Sequence, residues 1–230
     1  SDRGVGGLVA DVSFTDLSGT SYQLSSFAKQ QTTVIAMTST SCPLSKKYLP
    51  TLVQLAETYS SREVTWVLVN PRATDKPADM QPAATSLGGK ALYVHDPKGT
   101  LAQAVGAVTT ADVIVLDAAR TVVYHGAIDD QYGQGYAVDA PRHRYLANAL
   151  DSLLANNLPL VAATSAPGCA LDLQPASVAE SSLTYHNRIS RIVQANCIEC
   201  HREGGVAPFS LTTYDDVVTH APMIKQVVEQ

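Results

Sequence analysis

The stretch that decides the fold runs from residue 32 to residue 45 and reads Thr-Thr-Val-Ile-Ala-Met-Thr-Ser-Thr-Ser-Cys-Pro-Leu-Ser. Its first half, 32–38, is a β-branched run that predicts a buried strand. Pro43 follows a short polar turn and opens a helical pattern that continues to about Tyr59. A strand that passes directly into a helix is typical of an α/β domain.

Further strands and helices follow along the chain. Apolar runs predict four more strands, at 64–69, 91–94, 112–117 and 121–125. The last two are joined by the short turn Ala118-Ala119-Arg120 and predict a hairpin. A second helical stretch precedes the run at 91–94, and an amphipathic pattern at 141–156 predicts a final helix. Strands interleaved with helices in this way predict an α/β sandwich.

Composition excludes several classes of protein. The chain has 230 residues, of which 45% are hydrophobic and 16% are charged, and its formal net charge is −5. These values are typical of a globular protein of one to two domains. A nucleic-acid binder usually shows a basic surplus, and this chain has none. No apolar run approaches the roughly 20 residues that a membrane-spanning helix requires.

A second motif lies near the other end of the chain. Residues 197–201 read Cys-Ile-Glu-Cys-His, the Cys-x-x-Cys-His pattern of covalent haem c attachment. The spacing lets the sulfurs of Cys197 and Cys200 reach the two vinyl groups of one porphyrin, while His201 binds the iron. The alternative is a zinc or redox Cys pair. Zinc would need two further ligands, and a thioredoxin-like pair should open a helix after a strand.

The residues around this motif resemble a known segment. Residues 184–230 are similar to the haem-binding segment of bacterial redoxin–cytochrome c fusion proteins. The resemblance rests on Cys200-His201-Arg202, Ala207-Pro208-Phe209, Leu211 and Tyr214. It implies one covalently attached haem c, with the Pro208 carbonyl holding the second ring nitrogen of His201 and with Phe209 packing on the porphyrin. A helix with Ile189, Ile192 and Val193 on one face is expected to lead into the motif.

The sixth iron ligand is less well defined by the sequence. Residues 214–230 predict a helix that carries His220 and Met223, with Pro222 between them. In the resembling proteins the axial Met follows this helix, beyond the position of Gln230. A complete small cytochrome c also needs more residues than 184–230, so the segment is expected to be truncated. Within this chain Met223 is preferred over His220, because a thioether raises the haem potential.

Residues 1–158 also carry a resemblance, to the redoxin domain of the same proteins and therefore to the thioredoxin-like fold. It rests on Phe14-Thr15-Asp16 with Gly19 and Leu24, on Ser41-Cys42-Pro43-Leu44-Ser45 at a helix start, and on residues 124–132. Two parts of a thioredoxin site are missing. Ser45 replaces the second Cys, and Thr110-Ala111 replaces the usual Thr-Pro loop. A dithiol cycle needs a resolving thiol, so the resemblance implies a degenerate, non-catalytic domain.

A peroxidase is another protein class in which a cysteine at the position of Cys42 would react. Ser39 fits the Ser or Thr that precedes a peroxidatic Cys by three residues. However, Ile35 stands where a Pro is expected, and no Arg precedes the strand at 112–117. These differences disfavour a peroxidase.

Residues 159–183 are rich in Pro, Ala and Ser and predict an extended linker. Within it, Ala166-Pro167-Gly168-Cys169 resembles the Gly-Cys that follows the redoxin domain in the fusion proteins. With Cys197 and Cys200 assigned to haem, two thiols remain, and an exported protein can oxidise such a pair. A Cys42–Cys169 disulfide is therefore expected, and two independent buried thiols are the alternative.

These observations predict that the protein is an exported, periplasmic bacterial c-type cytochrome. It would transfer single electrons, with the thioredoxin-like domain as a non-catalytic scaffold or docking module. The implied partner is a redox protein, and the chain could serve as an accessory subunit of a membrane redox complex. The alternative is a thiol-dependent oxidoreductase or peroxidase that uses Cys42.

Overall fold

The β-branched run at the start of the deciding stretch forms the central strand of a five-stranded sheet. The computed structural model describes residues 3–133, 135–173, 185 and 189–228. The strands are β1 (Ser13–Thr15), β2 (Ser21–Gln23), β3 (Thr32–Met37), β4 (Val64–Asn70), β5 (Leu92–His95), β6 (Val113–Asp117), β7 (Val122–Gly126), β8 (Tyr132–Gly133) and β9 (Tyr136–Ala137). The helices are α1 (Pro43–Thr58), α2 (Pro77–Ser86), α3 (Thr100–Ala104), α4 (Tyr145–Leu154), α5 (Ser190–Asn196) and α6 (Tyr214–Val228).

The sheet has the strand order β5-β4-β3-β6-β7. Strands β3, β4 and β5 are parallel, whereas β6 and β7 run antiparallel to their neighbours. Parallel neighbours need a crossover, and α1 and α2 supply the two crossovers. Every residue of β3 is buried, as its β-branched composition predicted.

The two faces of the sheet carry separate hydrophobic cores. Val34 and Ala36 of β3 pack in one core with residues of α1, α2 and α4, whereas Ile35 and Met37 pack in the other with residues of α3 and β1. Side chains of a strand point alternately to the two faces, which explains this division. The first part of the chain is therefore a mixed α/β thioredoxin-like sandwich, as the sequence predicted.

Two features of this sandwich were not predicted. Helix α3 precedes β6, and the hairpin β8–β9 precedes α4. Helix α3 has five residues and the hairpin strands have two each, so neither is long enough to show a hydrophobic period.

The segment after α4 packs on the sheet. The backbone N–H of His125 donates to Ala162, and that of Thr164 donates back to His125. A side chain at Gly126 would place its Cβ 2.7 Å from the Thr164 carbonyl oxygen, so only glycine permits this approach. The expected boundary at residue 158 therefore falls before a segment, 159–173, that is extended but bound to the sandwich. The rest of the expected linker lies outside the described residues.

The chain divides into two compact units, Ser1–Ala176 and Ser177–Gln230. The second unit contains α5 and α6 and a small core of Val193, Leu211 and Val217. The expected apolar face of the helix before Cys197 is only partly buried, because Ile189 and Ile192 are exposed. Helix α5 begins at Ser190, and residues 186–188, in the stretch that leads into it, lie outside the described residues. No described helix combines the length and the apolar character needed to cross a membrane.

Candidate functional site

Cys42 lies at the edge of the sheet where the parallel strands end. It occupies the N-cap position of α1, shortly after β3, and Pro43 occupies the first helical position. The adjacent parallel strand β4 ends at Asn70, on the same edge. Loops that follow the carboxyl ends of parallel strands form the usual site of an α/β fold. The Cys42 side chain is only 1% exposed.

Cys169 is the closest partner of Cys42. Their Sγ atoms are 2.6 Å apart, although the two residues are separated by 127 positions in the chain. Cys169 is less buried than Cys42 and is held by the loop before β6. Its backbone N–H donates to Thr110 Oγ1, and its carbonyl oxygen accepts from the Thr110 N–H, both at 3.0 Å. The two thiols that the sequence analysis paired are therefore in contact.

The two thiols differ in acidity. Burial acts to raise the pKa of the Cys42 thiol, but hydrogen bonds with Cys169, with Thr110 and with nearby backbone groups lower that pKa to about 7. The hydrogen bond with Cys42, together with burial, raises the pKa of Cys169, and the Arg72 guanidinium acts in the opposite direction. In the reduced pair, the negative charge therefore resides on Cys42.

A buried carboxylate fixes the loop that carries Cys42. Asp75 Oδ2 accepts hydrogen bonds from Ser39 Oγ at 2.8 Å, from the Thr40 N–H at 2.8 Å and from Asn70 Nδ2 at 2.9 Å. Burial acts to raise the pKa of Asp75, but these hydrogen bonds hold it well below its usual range. Ser39 Oγ in turn accepts the backbone N–H of Cys42 at 3.2 Å. The carboxylate therefore orients Cys42 through Ser39.

Ser45 takes a structural role at the position of the missing second Cys. Its Oγ accepts the backbone N–H of Ser39 at 2.7 Å and donates to Thr38 Oγ1 at 3.2 Å. Both contacts are buried. The side chain therefore supports the same loop as Asp75 and takes no part in thiol chemistry.

Asp112 holds the loop that carries Thr110. Its Oδ2 accepts the backbone N–H groups of Val108 at 2.7 Å and Thr109 at 3.2 Å, and its Oδ1 lies 3.0 Å from the Arg3 guanidinium. The Asp112 side chain is fully buried. No cis peptide bond occurs in the described parts of the chain, so Thr110-Ala111 reaches the site with trans geometry.

The second unit places the Cys-x-x-Cys-His residues in one turn after α5. The backbone N–H groups of Cys200 and His201 both donate to the Cys197 carbonyl oxygen, at 3.3 and 2.9 Å. Gly205 closes the loop that follows, and a Cβ there would be 3.0 Å from the Arg202 carbonyl oxygen. Cys197 is half-buried and Cys200 is exposed, and both are free thiols.

These residues fit a covalently attached haem c. His201 Nδ1 lies 3.0 Å from the Phe209 carbonyl oxygen, which holds the ring in one tautomer and leaves Nε2 for a metal. The sequence predicts the carbonyl of Pro208 as this acceptor, and that prediction is wrong by one residue. In this loop the carbonyl that faces the imidazole is the next one along the chain.

The other candidate ligands are placed differently. His220 stacks on the Phe209 ring with centroids 4.0 Å apart, and Phe209 also contacts the His201 ring at 4.6 Å. Met223 is 51% exposed. Phe209 therefore packs on imidazole rings. Among the described residues, no three His, Cys, Asp or Glu side chains converge into a site for a single metal ion.

Comparison with known proteins agrees with the fold of the first unit. A family model described as Redoxin matches residues 5–134, which is more than half of the chain. An uncharacterized conserved protein from Geobacillus kaustophilus is 26% identical and superposes with a TM-score of 0.66, over 75% of this chain and 94% of that one. A hypothetical protein from Sinorhizobium meliloti 1021 is 23% identical with a TM-score of 0.66, over 74% and 94%.

No curated protein sequence matches the chain. The family model includes the strand-to-helix junction that carries Cys42, and the two solved structures share the sandwich. The chain belongs to the redoxin family.

Proposed function

We propose that this redoxin is a thiol–disulfide oxidoreductase whose redox pair is Cys42 and Cys169. The observation that carries the proposal is the 2.6 Å separation of the two Sγ atoms. A disulfide bond needs about 2.0 Å, so a movement of about half an ångström would close it. The thiol-dependent alternative is therefore preferred over a purely structural redoxin domain.

The chemistry requires one attacking and one resolving sulfur. In the reduced protein, a thiolate of the pair attacks one sulfur of a substrate disulfide, a mixed disulfide forms, and the other substrate sulfur leaves as a thiolate. The second cysteine then loses its proton and attacks the protein sulfur of the mixed disulfide. The Cys42–Cys169 bond forms and the remaining substrate thiolate leaves. Two electrons move from the pair to the substrate.

The surroundings of the pair support this use. The Cys42 thiol has a pKa of about 7, so a substantial fraction is ionised at neutral pH. Thr110 holds Cys169 in place by two hydrogen bonds, so the second thiol of the pair is already in position. Ser45 cannot supply a thiol, and Cys169 takes over that role from the segment after α4.

A redox titration tests the proposal. The protein is equilibrated in mixtures of reduced and oxidised dithiothreitol, trapped with an alkylating reagent, and its alkylated Cys42 and Cys169 are counted by mass spectrometry. We expect the two thiols to disappear and return together, in one reversible two-electron transition. Cys42→Ser and Cys169→Ser should each abolish that transition. Independent titration of the two thiols, or no reversible loss, would overturn the proposal.

We propose further that residues 184–230 are a haem c-binding segment. Cys197 and Cys200 would form the thioether bonds, and His201 would bind the iron with Nε2 while Phe209 accepts from Nδ1. When bound, haem c supplies single-electron transfer at the iron. The hydrogen bond to Phe209 fixes the imidazole before the cofactor arrives, and this observation supports the segment's assignment.

Expression with a c-type haem maturation system tests this second proposal. The unmodified chain should carry one haem that stays attached after acid denaturation and shows the reduced spectrum of haem c. Replacing both cysteines, Cys197→Ala with Cys200→Ala, should leave no attached haem, whereas Cys42→Ser should leave it in place. Haem absent from the unmodified chain would contradict the assignment.

Both chemistries indicate an oxidising compartment. Stable disulfides form outside the cytoplasm, and we propose that this protein works in the bacterial periplasm or an equivalent space. A redox protein is the expected partner, and a membrane-bound electron-transfer complex is one form that it could take. Fractionation of cells that express the complete natural protein tests the location, with a cytoplasmic position as the contradicting result.

A further inference from the structure

A positively charged cleft begins beside Cys169. Its volume is about 540 Å³, and it is lined by the loop that follows β4, by the turn before α3 and by residues 170–173. Arg72 and Lys98 are the basic residues of its lining, and Asp172 is the one acidic residue. Ala170, which follows Cys169 directly, forms part of its wall. Cys169 itself does not line the cleft, but the Arg72 guanidinium is near enough to lower the pKa of its thiol, so a molecule held at Arg72 would lie close to this sulfur.

The Arg72 guanidinium is the unusual feature of the cleft. Its backbone is fixed, because its N–H donates to Asn70 Oδ1 at 3.0 Å and its carbonyl oxygen lies 3.3 Å from His95 Nε2. Within the described parts of the chain, its side chain donates no hydrogen bond and forms no ion pair, and its Nε atom is buried without a partner. A buried donor without a partner is costly. Arg72 as a whole is only partly buried and lines the cleft, so an anionic ligand there would pair with the guanidinium charge.

We propose that this cleft binds a carboxylate-bearing thiol compound, and that the sulfur of this compound exchanges with Cys169 rather than with Cys42. The inference rests on the proposed thiol–disulfide function and names its substrate class. Cys42 is 1% exposed whereas Cys169 is partly exposed, so an incoming sulfur reaches Cys169 first. Arg72 would hold the carboxylate.

The exchange proceeds in two steps. With the pair oxidised, the substrate thiolate attacks Cys169 Sγ, a bond forms between the two, and the Cys42–Cys169 bond breaks with Cys42 leaving as a thiolate. A second substrate thiolate then attacks the substrate sulfur of the mixed disulfide, and Cys169 leaves as a thiolate that takes a proton from water. Two substrate thiols become one disulfide. Low-pKa thiolates leave fastest, which favours expulsion of Cys42.

Rapid mixing of the oxidised protein with three thiols tests the proposal. Mercaptoacetate carries a carboxylate, mercaptoethanol is neutral and cysteamine is cationic, and each is used at the same thiolate concentration. We expect mercaptoacetate to reduce the pair about tenfold faster than mercaptoethanol, since an unpaired cation attracts the carboxylate, and cysteamine to be slowest. Arg72→Gln should bring the mercaptoacetate and mercaptoethanol rates together.

The matched control is Arg62→Gln, which changes the net charge equally but lies in an exposed ion pair with Asp151. It should keep the preference for mercaptoacetate. If Arg72→Gln fails to fold, Lys98→Gln serves as a second test. Lys98 is at an exposed position in the cleft, and its replacement should reduce the preference for mercaptoacetate. Acid quenching at an early time, followed by peptide mapping, should locate the mercaptoacetate adduct on Cys169.

Four outcomes are decisive. An adduct on Cys42, or equal rates for mercaptoacetate and mercaptoethanol in the unmodified protein, would overturn the inference. A preference that survives both Arg72→Gln and Lys98→Gln would also overturn it. A protein that holds no reducible Cys42–Cys169 bond would show instead that the proposed thiol–disulfide function is wrong.

Discussion

Thr110 and Cys169 are joined by two hydrogen bonds, one in each direction, both 3.0 Å long. The Thr110 side chain accepts the Cys169 N–H, while the Thr110 N–H donates to the Cys169 carbonyl oxygen. This pairing fastens the segment after α4 to the loop before β6 and places Cys169 Sγ against Cys42. The loop before β6, which contains a Pro in thioredoxins, here holds the second thiol in place.

Replacing the Thr110 hydroxyl should change the acidity of Cys42. Thr110→Val removes a hydrogen bond that lowers the Cys42 pKa and also removes the acceptor for the Cys169 N–H. The ultraviolet absorbance of the thiolate, followed during a pH titration of the reduced protein, should show a midpoint near pH 7 for the unmodified chain. The variant should titrate at higher pH, and Thr85→Val, at an exposed position in α2, should not. Identical midpoints would contradict this role.

Reduction of the pair should destabilise the first unit. A bond between Cys42 and Cys169 closes a loop that spans 127 positions in the chain. In the chain-entropy account, such a bond stabilises by about 4–5 kcal/mol. Urea unfolding of oxidised and reduced protein measures the difference. In Cys42→Ser the reductant should have no effect, and a similar loss there would show that the stabilisation has another source.

Asp75 should contribute stability that depends on pH. Its pKa lies below the unfolded value of about 3.9, so its contribution is fully present above that value and is lost as the pH falls below it. Asp75→Asn should lower the free energy of unfolding at neutral pH by about 1–3 kcal/mol. The difference in the free energy of unfolding between the variant and the unmodified chain should become smaller in acid. A gap that stays constant between neutral pH and strong acid would contradict the assignment.

Gly126 should be required for the docking of the segment after α4. In Gly126→Ala, the new methyl group would lie 2.7 Å from the Thr164 carbonyl oxygen and 2.8 Å from its nitrogen, so the segment must move. Cys169 lies five residues after Thr164 in the same segment. After mild oxidation, the fraction of protein with a Cys42–Cys169 bond should therefore be lower in the variant than in the unmodified chain. Alkylation and mass spectrometry measure that fraction. An unchanged fraction would show that Cys169 is positioned by Thr110 alone.

The sixth iron ligand can be distinguished by spectroscopy of the haem-loaded chain. Met223 is exposed, whereas His220 is stacked on Phe209, and a thioether on a flexible side chain can move to the iron. We expect the weak far-red band of a Met–iron bond in the unmodified chain, its loss in Met223→Ala and its retention in His220→Ala. Persistence of the band in Met223→Ala would exclude this residue. Absence of the band from the unmodified chain would contradict Met223 as the ligand.

Much of the fold could be predicted because its strands and long helices carry clear hydrophobic patterns. The run at 32–37 is buried throughout, and the helix that Pro43 opens ends at Thr58, one residue before the expected end. Helix α3 could not be found in the same way, since five residues give too short a pattern. The docking of residues 159–173 could not be predicted from the sequence either, because it depends on the absence of a side chain at Gly126.

The site could be predicted only in part. Cys42 was identified from its place between a strand and a helix, and its pairing with Cys169 was expected from the resemblance and from the two thiols that the haem motif leaves over. Contact with Cys169 arises from tertiary structure across 127 positions, which local spacing cannot show. Asp75 and Arg72 were missed, although both follow a strand that runs parallel to β3. The ends of neighbouring parallel strands share one edge, and that rule could have located them.

Peptide mapping without reduction is the most direct test of the central claim, that Cys42 and Cys169 form the redox pair. The protein is mildly oxidised, its free thiols are alkylated, and it is digested and analysed by mass spectrometry before and after a reductant is added. We expect the peptides that contain Cys42 and Cys169 to be linked to each other and to separate only after reduction. Alkylated Cys42 and Cys169 in the unreduced sample would contradict the claim.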